Sequence, residues 1–90
     1  MAPVKIYTRK FCSYCYHAKE LLSRKGVAFR EIDVTGNADV RQHMTERAQG
    51  HNTLPQIFIG AKHVGGCDEL YALDREGKLD GMLSGEKAAS

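Results

Sequence analysis

The fold of this chain is decided by the stretch Val4-Lys5-Ile6-Tyr7-Thr8-Arg9-Lys10-Phe11-Cys12-Ser13-Tyr14-Cys15-Tyr16-His17-Ala18-Lys19-Glu20-Leu21-Leu22. Its first five residues alternate apolar and polar side chains, as a half-buried strand does. Ala18, Leu21 and Leu22 recur at helical spacing, and Gly26 provides a stop signal. The pattern therefore predicts a strand followed by an amphipathic helix, with the pair Cys12 and Cys15 at the junction.

The position of the two cysteines indicates redox chemistry. The first N–H groups of a helix have no intrahelical partner, and the helix dipole is positive there, so a thiolate is favoured. Arg9 and Lys10 add positive charge nearby. Cys12 lies nearer the helix start and solvent, whereas Cys15 lies inside the first turn. We therefore expect Cys12 to be the nucleophile and Cys15 the resolving thiol.

A structural zinc site is the alternative reading of the cysteine pair. Such a site needs four ligands at fixed spacing. The chain has one further cysteine, Cys67, and its four histidines lack the usual zinc-site spacing. The sequence therefore favours a working dithiol over zinc.

Length and composition predict one small domain with the make-up of an ordinary soluble globular protein. The 90 residues predict one domain over 1–90, with a frayed tail at 84–90, and the net charge of +2 gives no reason to expect nucleic acid. The sequence shows no apolar run of membrane-spanning length and no signal-peptide pattern, so no membrane partner is expected. Three cysteines fit a reducing, cytoplasmic setting better than a disulfide framework.

The remaining chain continues the alternation of strands and helices. A second strand is expected at 27–34 and a helix from Asn37 to Gly50. A hairpin should follow at 56–64, and a last helix at 67–76. This order, β-α-β-α-β-β-α, predicts an α/β fold with a four-stranded mixed sheet flanked by three helices. Leu79, Met82 and Leu83 could cover the core from outside.

Two further segments are candidates for the site. Thr53-Leu54-Pro55 precedes the third strand, and it is either an ordinary loop with a trans proline or a cis turn. If it is cis, the peptide groups of Leu54 can pair with an extended peptide. Gly65-Gly66-Cys67-Asp68 is either a glycine-rich turn capped by Asp68 or a carboxylate site at a helix N-terminus.

Together these three segments resemble the glutaredoxin family, along nearly the whole chain from Val4 to about Leu83. The family motif C-P-Y-C is matched by Cys12-Ser13-Tyr14-Cys15, T-V-P by Thr53-Leu54-Pro55, and G-G-C-D-D by residues 65–69. The resemblance implies a thioredoxin-like fold, a cis peptide at Pro55 and glutathione as cosubstrate. It implies deglutathionylation and electron transport in cell redox homeostasis, acting on glutathionylated or disulfide-containing proteins.

The resemblance also implies how glutathione binds. Leu54 would pair with the cysteinyl backbone, Gly66, Cys67 and Asp68 would hold the γ-glutamyl end, and Tyr14 and Thr53 would line the groove beside Pro55. Arg9 stands where the family usually has lysine, and its guanidinium can grip the glycyl carboxylate.

Ser13 stands where the family usually has proline. This difference leaves open whether the protein binds an iron–sulfur cluster. Relatives with serine at this position include proteins that bind a [2Fe-2S] cluster between two subunits, through two nucleophilic cysteines and two glutathione thiols. The alternative function is therefore a cluster carrier or sensor, in which Cys12 would be the metal ligand. We expect a monomer, and a dimer only around a bound cluster.

Overall fold

The computed structural model describes residues 2–85, which form four strands and four helices. In chain order these elements are β1 (Val4–Thr8), α1 (Ser13–Arg24), β2 (Arg30–Asp33), α2 (Ala38–Arg47), β3 (Gln56–Ile59), β4 (Lys62–Gly65), α3 (Cys67–Arg75) and α4 (Leu79–Ser84).

The four strands form one mixed sheet in the order β2-β1-β3-β4, which confirms the expected architecture. β1 runs parallel to β2 and antiparallel to β3, and β3 pairs antiparallel with β4 across a short hairpin. β1 is therefore a central strand. Its carboxyl end leads directly into the segment that carries Cys12.

The alternation of side chains along β1 gives the sheet two apolar faces. Val4 and Ile6 point to the face covered by α1, α3 and α4, where the larger core cluster lies. Tyr7 points to the other face and packs with Val34 and with Met44 of α2. The period of two along a strand thus places one core layer on each side of the sheet.

The second strand is shorter than predicted, since it covers Arg30–Asp33 instead of 27–34. β2 is an edge strand that pairs only with β1, in a register that begins at Lys5 and Arg30. The N–H of Val27 instead donates to the Leu22 carbonyl at the end of α1, at 3.4 Å. Val27 and Phe29 therefore pack on the core next to the end of α1 and do not extend the strand.

The helix count among residues 2–85 is four, so the expectation of three is corrected. Leu79 and Leu83 belong to α4, where both are buried, and the N–H of Ala2 donates to the Leu83 carbonyl. Ser84 ends this helix, and residues 86–90 of the predicted tail lie outside the described residues. None of the helices within residues 2–85 has the length and apolar character required to cross a membrane.

Candidate active site

Cys12 is the N-cap of α1, and its sulfur takes the place that a serine or aspartate oxygen often has. Its backbone is extended, with φ −121° and ψ 105°, and its Sγ accepts a hydrogen bond from the Cys15 N–H at 3.1 Å. The sulfur is therefore directed at the unpaired N–H groups of the first turn. That geometry stabilises negative charge on Cys12.

Cys15 lies one turn further along and has a different environment. Its side chain is 2% exposed and belongs to the buried face of α1. Burial, and then the hydrogen bond between the two thiol groups, raise the pKa of Cys15 to about 12. At neutral pH Cys15 is therefore a thiol that can donate to the Cys12 sulfur.

Leu54 and Pro55 lie beside the Cys12 sulfur. The Leu54–Pro55 peptide bond is cis, as the resemblance implied. The Leu54 carbonyl oxygen is 3.9 Å from Cys12 Sγ. Among residues 2–85 the Leu54 N–H donates to no protein acceptor, so it is free to pair with a ligand.

The turn between β4 and α3 is built by close backbone approach. Gly65 has φ +118°, which side-chain-bearing residues rarely adopt. A Cβ on Gly66 would lie 3.3 Å from the Pro55 carbonyl oxygen, so glycine lets the two segments approach.

The cap of α3 is made by Glu69 and not by Asp68, which corrects the prediction for that carboxylate. Glu69 Oε1 accepts a hydrogen bond from the Gly66 N–H at 2.7 Å. Glutamate at the third helical position is a known capping pattern, and the sequence offered this signal three residues after Gly66. Asp68 remains exposed.

Seven of the predicted site residues line one groove of about 290 Å³: Tyr14, Thr53, Leu54, Pro55, Gly66, Cys67 and Asp68, together with Glu69. Cys67 is buried at the groove wall, and burial first, with the nearby Asp68 second, raises the pKa of its thiol. The groove thus has an aromatic ring, free backbone groups and carboxylates along it. Cys12 stands at its edge through the contact with Leu54.

Arg9 lies outside this groove. It lines a second hollow of about 580 Å³, which Cys12 and Cys15 also line. Its Nη1 donates to the Lys10 carbonyl at 3.4 Å. The structure therefore places Arg9 in the same hollow as Cys12 and outside the groove that the other predicted binding residues line.

The second hollow contains polar residues that the sequence did not reveal. Thr8 is 2% exposed and its hydroxyl donates to Glu31 Oε2 at 2.7 Å, while Lys19 Nζ lies 3.0 Å from the same oxygen. The hydrogen bond from Thr8, and then that from Lys19, hold the pKa of Glu31 below its usual value. Thr8 could not be identified as a site residue from the sequence, because it only continues the alternation of β1.

The surface around Cys12 is unusually aromatic. The large hydrophobic side chains that are exposed within residues 2–85 are Phe11, Tyr14 and Tyr16, all within four positions of Cys12. Phe11 is 99% exposed and has φ +57°, an uncommon backbone state for a residue with a side chain. Exposed apolar rings clustered in this way are typical of a surface that contacts other molecules.

A metal site formed by one chain is not seen in the described part of the sequence. Across residues 2–85, no three His, Cys, Asp or Glu side chains come together in a way that could hold a metal ion. A cluster ligated through Cys12 would therefore need thiols from outside the described chain.

The fold and the site define a thioredoxin-like protein with a dithiol at the N-terminus of its first helix. The sequence model of the glutaredoxin family matches residues 4–64, about two thirds of the chain, and the chain belongs to this family. Glutaredoxin 3 of Escherichia coli strain K12 is 57% identical over 83 residues, which cover 92% of this chain and 99% of that protein.

Two solved structures show the same likeness in three dimensions. Glutaredoxin from Brucella melitensis is 57% identical with a TM-score of 0.83, covering 97% of this chain and 95% of that one. A complex of buckwheat glutaredoxin with glutathione is 30% identical with a TM-score of 0.85, covering 93% and 78%. Membership of the family establishes thiol-disulfide oxidoreductase activity in general terms.

Proposed function

We propose that this protein is a glutathione-dependent oxidoreductase that reduces glutathione mixed disulfides and protein disulfides. The observation that carries the proposal is the Cys12 sulfur, which accepts the Cys15 N–H at the helix start while bordering the groove through Leu54. A stabilised thiolate is both a competent nucleophile and a good leaving group. Both properties are needed for a cycle that makes and breaks disulfides at one sulfur.

With a glutathionylated substrate the cycle needs only Cys12. Its thiolate attacks the glutathione sulfur, the substrate thiolate leaves and takes a proton from solvent, and a Cys12–glutathione disulfide forms. A second glutathione, as thiolate, attacks the bound glutathione sulfur and releases Cys12. Oxidised glutathione is the product, formed from the glutathione of the substrate and one free glutathione, so one free glutathione is consumed for each substrate thiol released.

With a protein disulfide the cycle also needs Cys15. Cys12 attacks one substrate sulfur and forms a mixed disulfide with the substrate protein. Cys15 then loses its proton to solvent and attacks the Cys12 sulfur, which releases the reduced substrate and leaves a Cys12–Cys15 disulfide. Two glutathione molecules restore the dithiol. This cycle suits a reducing compartment such as the cytoplasm, where reduced glutathione is in excess.

The groove supports an orientation for glutathione. We assign the γ-glutamyl end to Gly66, Cys67 and Asp68, where an exposed carboxylate can accept from the ammonium group. The cysteinyl part would pair with the free Leu54 N–H, between Tyr14 and Thr53. The glycyl carboxylate would then extend past Cys12 toward Arg9 in the second hollow.

The test compares two serine variants on two substrates, with glutathione oxidation followed by a coupled reductase. Cys12→Ser should abolish turnover of both a glutathionylated peptide and a protein disulfide. Cys15→Ser should keep the first activity and lose most of the second. Loss of both activities in Cys15→Ser, with neither lost in Cys12→Ser, would reverse the assigned roles.

A cluster carrier or sensor is the alternative function. Because each chain would provide one ligand, Cys12, the cluster would have to be shared between two chains, with two glutathione thiols as the other ligands. Anaerobic reconstitution with iron, sulfide and glutathione should then give a brown dimer, and Ser13→Pro should bind less cluster while keeping oxidoreductase activity. A colourless monomer after this treatment excludes the alternative.

A further inference from the structure

Gln56, which begins β3, connects the sheet to the loop that lines the groove. Its side chain is buried, with 2% of the residue exposed. Its Nε2 donates to the Thr53 carbonyl oxygen at 3.0 Å and to Thr53 Oγ1 at 3.2 Å. The Thr53 backbone is thus held by a side chain that is itself fixed in the core.

The partners of Gln56 determine which way its amide points. A backbone carbonyl only accepts, so the NH₂ end must face Thr53 and the oxygen must face the other way. There His63 Nε2 lies 2.6 Å from Gln56 Oε1. Because the amide oxygen also only accepts, His63 must carry a hydrogen on Nε2.

His63 is held in place for this role by β4. It pairs with Phe58 of β3, and the two rings contact each other in a tilted arrangement, with centroids 4.9 Å apart and an interplanar angle of 33°. Burial first, and then the charge of His51, lower the pKa of His63, while Glu69 acts in the opposite direction. The Nε2 hydrogen is present in both the neutral tautomer required here and the protonated ring.

We propose that Gln56 and His63 are positioning residues for glutathione, which fix Thr53 and thereby the adjoining Leu54 backbone next to the Cys12 sulfur. This inference rests on the proposed function, since it assigns a role to residues behind the glutathione groove. Without the donor at His63, the buried Gln56 oxygen is left without a partner, and this orientation of the amide loses its stabilisation. The two hydrogen bonds to Thr53 depend on that orientation, so the loop is held less firmly.

The experiment is a double-variant cycle on glutathione kinetics with His63→Leu, Gln56→Leu and both together. Each single variant should raise the KM for glutathione about 3- to 10-fold with kcat changed less than about two-fold, as expected when one or two hydrogen bonds that preorganise a site are lost. The double variant should be no worse than Gln56→Leu, since His63 acts through Gln56.

Two further variants separate positioning from general damage. His63→Gln retains an N–H donor and should restore the KM to within about two-fold of the parent. His51→Leu is the matched control, because its ring lies beside His63 with a centroid distance of 6.1 Å but has no hydrogen bond to Gln56. It should leave both constants unchanged.

The outcomes distinguish this inference from the proposed function. Additive effects, equal losses in kcat and kcat/KM, or failure of His63→Gln to rescue would overturn the positioning role while glutathione turnover by the parent stands. Nitrogen NMR of the free protein tests the tautomer without glutathione, and a hydrogen on Nδ1 instead of Nε2 in neutral His63 would also overturn it. If Gln56→Leu fails to fold, the His63 variants and the NMR measurement decide.

Discussion

At the scale of single residues, two chemically identical thiols become different because they lie on different sides of a helix start. Cys12 precedes the first turn, where its sulfur accepts an N–H, and it lines the second hollow and lies 3.9 Å from the Leu54 carbonyl oxygen. Cys15 lies within that turn on the buried face. The two thiols differ because Cys12 is the extended N-cap and does not follow the helical path that places Cys15 on the buried face of α1.

This difference predicts selective alkylation. In the reduced protein at pH 8, iodoacetamide should modify Cys12 alone, because burial keeps Cys15 protonated with a pKa of about 12. Mass spectrometry of digested protein checks the site, and Cys15 should react only after denaturation. Modification of Cys15 in the folded protein at a rate close to that of Cys12 would contradict the assignment of roles.

The raised pKa of Cys15 also has a consequence for stability. The folded value lies above the ordinary value of 9.0, so the contribution of the buried thiol is fully present below pH 9. It is lost as the pH rises from 9 toward 12, because the unfolded chain then releases a proton that the folded chain retains.

Local sequence patterns predict only those features of the site that depend on residues close together in the chain. The cap position of Cys12 follows from a strand, a helix and their junction, and the approach of Leu54 to it was implied by a family motif. Arg9 lines the second hollow together with Glu31, and Gln56 is hydrogen-bonded to His63 on β4, so the surroundings of both depend on residues distant in sequence. No hydrophobic periodicity or residue propensity encodes these distant neighbours, so they could not be predicted from the sequence.

At the scale of elements, the turn from β4 into α3 brings the groove together. Gly65 is held at φ +118° with Glu69 folded back against it, and a Cβ there would lie 3.0 Å from both Glu69 Cγ and Oε1. Glycine at position 65 therefore allows both the positive φ and the close approach of Glu69, which caps α3.

We expect Gly65→Ala to lower the free energy of unfolding by about 1–3 kcal/mol, because alanine would be strained at this φ and would displace the Glu69 cap. Urea denaturation measures the change. Gly77→Ala is the matched control, since Gly77 also has positive φ, at +74°, but nothing lies within 4 Å of the added Cβ. If the two variants lose the same stability, the contact with Glu69 contributes nothing.

The elements themselves were largely predictable, and the exceptions have physical causes. β1 follows from alternation and β3 from the predicted hairpin, and Asn37 caps α2 as expected, since its Oδ1 accepts the Val40 N–H. β2 is shorter because a strand extends only where a partner is present to pair with it. α4 has six residues, too few for periodicity to reveal, and it is stabilised by packing on the core.

At the scale of the molecule, the end of α1 is tied to the C-terminal helices. Lys25 Nζ lies 2.6 Å from Asp74 Oδ1 and 3.0 Å from Asp80 Oδ1. These hydrogen bonds, that with Asp74 first, raise the pKa of Lys25. The ammonium group therefore keeps its charge around neutral pH, and the link between the ends of three helices does not depend on pH there.

The main contribution of α4 is apolar. Leu79 is fully buried in the cluster that contains Val4 and Ile6 of the central strand. Leu83 lies in the same cluster, and its carbonyl accepts from Ala2 just before β1. This helix therefore closes the core at the end of β1 that lies opposite Cys12.

Leu79→Ala should accordingly lower stability without changing the chemistry. Removal of a fully buried leucine side chain costs about 2–5 kcal/mol, a large part of the roughly 5–15 kcal/mol that is typical of a folded domain. Urea denaturation measures this loss, and Met82→Ala, on the half-buried side of α4, should lose much less. Glutathione kinetics per folded molecule should match the parent below the unfolding transition, because α4 lies at the far end of the sheet. A large fall in kcat with stability unchanged would mean that α4 acts on the site and not on the core.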